Sequence, residues 1–66
     1  MALELLPCQC VAGMTQQYQL AYIYEAIRQL AGSPEDLPDS ECVLASPMQT
    51  QLAFIYCAAL AWQNTT

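Results

Sequence analysis

Histidine and lysine are absent from this chain of 66 residues, and arginine occurs once, at Arg28. The six acidic residues leave a formal net charge of -5 at pH 7. Because one cation cannot neutralise a run of phosphates, the composition excludes nucleic acid and anionic membrane surfaces as partners. The commonest general base and the Schiff-base amine are also missing, so we expect no enzymatic activity and no cofactor.

Charged residues are scarce, and long apolar runs are missing. Charged side chains make up 11% of the chain, against about 25% in an average globular domain. Apolar residues make up 56%, which is too many for a disordered acidic tail. The longest apolar run, residues 52–62, is well short of the about 20 residues that cross a bilayer. The first seven residues contain no cation, so the sequence predicts no secretory signal and no membrane association.

The chain contains an internal repeat with a period of 32 residues. Residues 4–30 align without gaps to residues 36–62, and ten of the 27 aligned positions are identical. A period of this length is typical of a supersecondary unit that buries its apolar face on a neighbouring unit. We therefore predict a single domain over 1–66, with a first helical repeat at 4–30 and a second at 36–62. The identical pairs are Leu5/Leu37, Cys10/Cys42, Val11/Val43, Gln17/Gln49, Gln19/Gln51, Leu20/Leu52, Ala21/Ala53, Ile23/Ile55, Tyr24/Tyr56 and Ala26/Ala58.

Each repeat has the pattern of a short helix followed by a long one. Thr15 is a helix-start residue and Gly32 a stop signal, which places the first long helix at about 16–31. Ser46, followed by a proline and then by a glutamine three residues after it, is a second start signal. It places the second long helix at about 47–63.

Pro38 restricts the short helix of the second repeat to 38–44, because proline does not fit a helix interior. The sequence thus predicts an all-α fold: a small helical bundle built from two tandem helix-turn-helix units that are related by a pseudo-twofold. Short connections favour antiparallel neighbours, so the two long helices are expected to pack antiparallel.

Apolar side chains recur at helical spacing on one face of each predicted long helix. Such a stripe is expected to face the intrachain core. The predicted core residues are Leu20, Ile23, Tyr24, Ile27, Leu52, Ile55 and Tyr56.

The two long helices differ on the opposite face. The first carries Glu25, Arg28 and Gln29 there, which suit water, whereas the second carries a cysteine and two apolar residues at the equivalent positions. A helix that is apolar all round must be covered all round, and 66 residues are too few to surround it. We therefore predict contacts with other protein subunits, in a homo-oligomer or a hetero-oligomer. The candidate partner-binding residues are Phe54, Leu60, Trp62, Tyr18 and Tyr22.

The cysteines Cys8, Cys10, Cys42 and Cys57 leave two interpretations open. We expect reduced, metal-free thiols that pack as small buried hydrophobes. A site that uses all four as metal ligands, in a metal-binding or redox module, is the alternative. Its weakness is the spacing, since zinc knuckles usually have two to four residues between the paired cysteines, whereas Cys8 and Cys10 have one between them and Cys42 and Cys57 have fourteen.

An acidic regulatory adaptor that binds a basic partner is a further alternative. Residues 35–41 contain four of the six acidic side chains. They lack the alternating Asp or Asn ligands, the central glycine and the closing glutamate of a calcium loop. A solvated helix start is the prediction for this segment.

The motifs of the second repeat resemble small Cys-containing helical-repeat open reading frames of tailed bacteriophages. The matching segments are Glu41-Cys42-Val43-Leu44, Ser46-Pro47-Met48-Gln49 and Phe54-Ile55-Tyr56-Cys57. The resemblance implies a minor virion component of a capsid, neck, tail or fibre. It also implies a location in the virion or the host cytoplasm, and it brings no catalytic residues.

Overall fold

The computed structural model describes residues 2–65, and these residues contain four helices and no strand. The predicted all-α fold class is therefore confirmed, with the long helices within two residues of their predicted bounds. Met1 and Thr66, which the predicted domain includes, lie outside the described residues. The helices are α1 (Cys8–Ala12), α2 (Gln16–Leu30), α3 (Ser40–Leu44) and α4 (Met48–Thr65).

Gly32 ends α2, as its sequence predicts. Its φ of 85° lies in the left-handed region, where glycine has no Cβ penalty. The Gly32 N–H donates to the Gln29 carbonyl at 3.0 Å, and the Ser33 N–H donates to the Arg28 carbonyl at 2.9 Å. These two bonds satisfy carbonyls that the helix end would leave unpaired, and they turn the chain back along α2.

The two helix starts of the second repeat differ in detail from the prediction. Asp39 caps α3, and its carboxylate accepts hydrogen bonds from the Glu41 and Cys42 N–H groups, each at 3.1 Å. Ser46 does not cap α4, because the helix begins one residue later than predicted, at Met48. Instead, the Ser46 hydroxyl donates to the Cys42 carbonyl at 3.0 Å and closes the end of α3.

The long helices run in the same general direction, and the antiparallel prediction is wrong. In the first turns, Gln51 of α4 donates its side-chain N–H to the Gln17 carbonyl of α2 at 3.3 Å. Near the middle, the rings of Tyr24 and Phe54 meet edge to face with centroids 6.1 Å apart. Residue numbers therefore rise together along the two helices. The reason is the connection over 31–47, which is long enough to return to the start of α2 before α4 begins.

A small core lies where α2, α3 and α4 meet. Its fully or nearly buried members are Tyr24, Leu37, Val43 and Ala58, which we call the core cluster. Four partly buried residues pack against the cluster: Ile27, Phe54, Ile55 and Ala61.

The predicted core stripe is only partly correct. Tyr24 is buried and Leu20, Ile27 and Ile55 are partly buried, but Ile23, Leu52 and Tyr56 are 45%, 54% and 66% exposed. The cause is the shared direction of the long helices, since α2 and α4 then contact each other through non-equivalent faces. Some repeat-equivalent residues consequently differ in burial, as Tyr24 and Tyr56 do, and the pseudo-twofold relation stays a prediction.

Candidate protein-interaction surfaces

The helix α4 has one packed face and one open face. Its packed face, which includes Phe54, Ile55 and Ala58, covers the core cluster. Its other side, which we call the open face, consists of residues that recur at helical spacing and are all exposed to solvent. These residues are Ala53, Tyr56, Cys57 and Leu60. The open face carries no charge and is exposed to solvent along its length, so it is suited to a protein contact.

A second apolar surface lies in the first repeat. It is a groove of about 440 Å³ between the N-terminal segment, α1 and α2. Leu5, Leu6 and Ile23 on its walls remain strongly exposed. None of its lining residues is charged. They are Leu5, Leu6, Cys8, Val11, Ala12, Gln19, Tyr22, Ile23 and Ala26.

The same amide hydrogen bond secures the short helix to the long one in each repeat. The Gln19 Nε2 donates to the carbonyls of Val11 and Ala12, at 3.2 and 3.3 Å. The Gln51 Nε2 donates to the carbonyls of Val43 and Leu44, at 2.9 and 3.4 Å. The two sets of bonds are equivalent, because the donor and both acceptors of the second set lie 32 positions after those of the first. In each repeat the glutamine therefore fixes the angle at which the short helix meets the long one.

Gln51 is fully buried and also joins the two repeats. Its Nε2 donates to the Gln17 carbonyl of α2 in addition to the α3 carbonyls. In return, the Gln17 side-chain N–H donates to the Leu44 carbonyl. Because buried amides are costly when unpaired, this reciprocal pair fixes the register of the second repeat on α2.

Tyr24 is the largest fully buried side chain of the contact between the repeats. Its hydroxyl donates a hydrogen bond to the Pro38 carbonyl, on the segment that returns from α2 to α3. Burial raises the pKa of this phenol to about 12, because the phenolate form would lose its hydration. The group therefore stays neutral and acts as a structural donor at physiological pH.

The polar face predicted for the first long helix is only partly solvated, since Gln29 is exposed and Arg28 is partly buried. Glu25 is only 1% exposed. Its carboxylate accepts hydrogen bonds from Arg28 Nη1 at 3.3 Å and from Gln29 Nε2 at 2.8 Å. The expectation that these side chains suit water was wrong for Glu25, because the second repeat packs over this side of α2, at the neighbouring Tyr24.

The predicted partner-binding residues fall in different places, and their role stays a prediction. Leu60, on the open face, and Trp62 are each 41% exposed, and Tyr18 is exposed on α2. Tyr22 is partly buried and lines the groove. Phe54 packs edge-on against Tyr24 inside the chain. Sequence reasoning missed the groove, although the identities Leu5/Leu37 and Val11/Val43 were a signal that the N-terminal residues occupy a packing position.

The four cysteines are all exposed and unbridged, which corrects the expectation of buried thiols. Cys8, Cys10 and Cys42 belong to the two short helices, which have too few residues to bury more than one side each. Cys57 lies on the open face. Within residues 2–65, no three Cys, His, Asp or Glu side chains come together as a metal site would require.

The acidic segment at 35–41 contains the α3 cap rather than a ligand site. The Cys42 backbone N–H lowers the pKa of the Asp39 carboxyl by donating to its ionised form. Glu35, Asp36 and Glu41 are exposed. The hypothesis of an adaptor for a basic partner stays a prediction.

No family model, curated protein or solved structure matches this chain. Among the described residues, no helix has the length and apolar character needed to cross a bilayer, and this includes the predominantly apolar α4.

Proposed function

We propose that this chain is a non-enzymatic structural or assembly protein that works by packing an apolar helix surface against neighbouring subunits. One observation carries the proposal: α4 is apolar on two sides, and the chain covers only one of them. The open face contains Tyr56 and Leu60, large side chains of the kind in which binding energy concentrates when they enter a partner's pocket. The lack of histidine and lysine favours contact over chemistry.

The setting that we propose is the particle of a tailed bacteriophage, as a minor component of its capsid, neck, tail or fibre. The support is the resemblance of residues 41–57 to small phage reading frames, together with a size too small to bury its own apolar surface. Assembly into a particle would cover the surfaces that the isolated chain leaves exposed.

The experiment is quantitative mass spectrometry of gradient-purified particles from the phage that encodes the chain. We expect its peptides in the particle at a fixed copy number. Tyr56→Arg should remove the chain from the particle, because a charge replaces an apolar anchor on the open face. Leu30→Arg is the matched control, since Leu30 is also an exposed large apolar residue on a long helix, at 59% exposure, but lies outside the open face.

Two results would contradict the proposal. The first is a chain that is abundant in infected cells but absent from purified particles. The second is a particle that retains Tyr56→Arg as well as it retains Leu30→Arg, because the open face would then not be the contact surface.

A further inference from the structure

The residues that form the contact between the two repeats have identical equivalents elsewhere in the chain, on two separate surfaces. Each member of the core cluster has an identical residue 32 positions away. Tyr24 corresponds to Tyr56, which stands on the open face. The partners of Tyr24 in the core, Leu37, Val43 and Ala58, correspond to Leu5, Val11 and Ala26, which all line the groove.

The groove in the first repeat is therefore formed by the equivalents of the residues with which the second repeat surrounds Tyr24. Inside the chain, the Tyr24 ring meets Phe54, and its equivalent in the groove is Tyr22, another aromatic ring. Inside the chain, the Tyr24 hydroxyl donates to the Pro38 carbonyl. The equivalent carbonyl belongs to Leu6, which is also part of the groove wall.

The polar groups that form bonds between the repeats have equivalents at these two surfaces as well. Gln17 donates to the Leu44 carbonyl and its own carbonyl accepts from Gln51. On α4, the residue equivalent to Gln17 is Gln49, which is identical and exposed. Its counterparts are the Ala12 carbonyl and the Gln19 amide, both at the groove.

We propose that this chain binds a second copy of itself head to tail, with Tyr56 on the α4 open face of one copy inserted into the groove between the N-terminal segment, α1 and α2 of the next. The contact continues the α2–α4 packing of the chain into the next molecule. This inference names the partner for the assembly role proposed above, and it rests on that proposal for its biological setting.

The chemistry of the two surfaces fits this occupant. Neither the open face nor the groove lining contains a charged side chain, so a chain of net charge -5 can bring them together without burying like charges. Because the two surfaces of one molecule are different, the interface is heterologous. Each bound copy leaves one groove and one open face free, so that association extends to rings or filaments rather than stopping at a dimer.

The test is sedimentation velocity of the purified chain in reducing buffer, which keeps the exposed thiols from cross-linking. We expect the wild type to pass from monomer to species larger than a dimer between about 1 μM and about 1 mM, the range of modest affinities. Tyr56→Arg removes the inserted ring and Ile23→Arg blocks the groove. Each should lower the association constant at least tenfold, so that the chain sediments mostly as a monomer. Unchanged helical circular dichroism would show that both variants fold.

Mixing the two variants separates head-to-tail binding from other arrangements. The Ile23→Arg chain keeps an intact open face, and the Tyr56→Arg chain keeps an intact groove. Their mixture should therefore form a one-to-one dimer and nothing larger. The control Leu30→Arg should associate as the wild type does, since its repeat equivalent, Trp62, is exposed within the chain and takes no part in the contact between the repeats.

Three results would overturn the inference. One is a wild type that stays monomeric up to about 1 mM. Another is an Ile23→Arg chain that still dimerises, which would mean that two open faces pair with each other. The third is a mixture that does not associate. If the chain is found in particles but fails this test, the assembly function stands and only the partner is wrong. If the chain self-associates as inferred but is absent from particles, the inferred partner stands and the proposed function in the particle is wrong.

Discussion

Tyr24 and Tyr56 offer a comparison in which one chemical change is made at two equivalent positions. Each lies at the same point of its repeat, with an isoleucine before it. Tyr24 is fully buried and donates its hydroxyl hydrogen to the Pro38 carbonyl, whereas Tyr56 is 66% exposed. Tyr24→Phe and Tyr56→Phe both delete a single oxygen atom, so a difference between them reports the environment.

The expected cost of Tyr24→Phe follows from that hydrogen bond. The substitution keeps the ring and its contact with Phe54 but leaves the Pro38 carbonyl without its donor. Removing one partner of a buried pair costs about 1–3 kcal/mol. Because Pro38 is itself only partly buried, water can replace the lost donor in part, and we expect about 1–2 kcal/mol. Tyr56→Phe should change the free energy of unfolding by less than about 0.5 kcal/mol.

The assay is urea unfolding followed by helical circular dichroism, at a protein concentration where the chain is monomeric, since association would stabilise the folded state. An unchanged slope of free energy against urea would show that the same surface is exposed on unfolding. Equal losses for the two variants, or a loss under about 0.5 kcal/mol for Tyr24→Phe, would refute the assignment of Tyr24 as the buried anchor between the repeats.

Three further predictions use the same unfolding assay. Leu37→Ala should cost about 2–5 kcal/mol, and the equivalent Leu5→Ala less than about 1 kcal/mol, because only Leu37 belongs to the core cluster; similar losses would mean that the groove wall is as well packed as the core. The pKa of Tyr24 is raised from 10.0 to about 12 on folding, so its contribution to stability is complete below pH 10 and is lost as the pH rises towards 12. The free energy of unfolding should therefore fall less steeply with pH in Tyr24→Phe than in the wild type over this range. An identical pH dependence would show that Tyr24 does not cause the fall. Asp39→Ala should lower the urea midpoint at neutral pH while Asp39→Asn largely preserves it, because both Asp and Asn can accept the cap bonds from Glu41 and Cys42. Since folding lowers the pKa of Asp39, its contribution to stability is present above its unfolded pKa of 3.8 and is lost as the pH falls below that value. An effect of Asp39→Ala that does not shrink in acid would contradict this cause.

The sequence by itself was sufficient to predict the helices and to detect the repeat. Helix bounds depend on residues that are close together in the chain, such as Gly32 at the end of α2 and Pro38 before α3. The 32-residue period is likewise a property of order along the chain. Neither requires knowledge of how the helices pack.

The direction of α4 relative to α2, and with it the list of buried residues, depended on the tertiary structure. An apolar stripe shows that a face prefers to be covered, but not which surface covers it. The repeat-equivalent tyrosines Tyr24 and Tyr56 have similar sequence contexts, yet one is buried and the other exposed. The difference arises because the connection over 31–47 returns to the start of α2, so that each repeat presents a different face to its neighbour. In a tandem arrangement of this kind, the first groove and the last open face remain exposed, and only the three-dimensional packing shows that their residues are the repeat equivalents of the contact inside the chain.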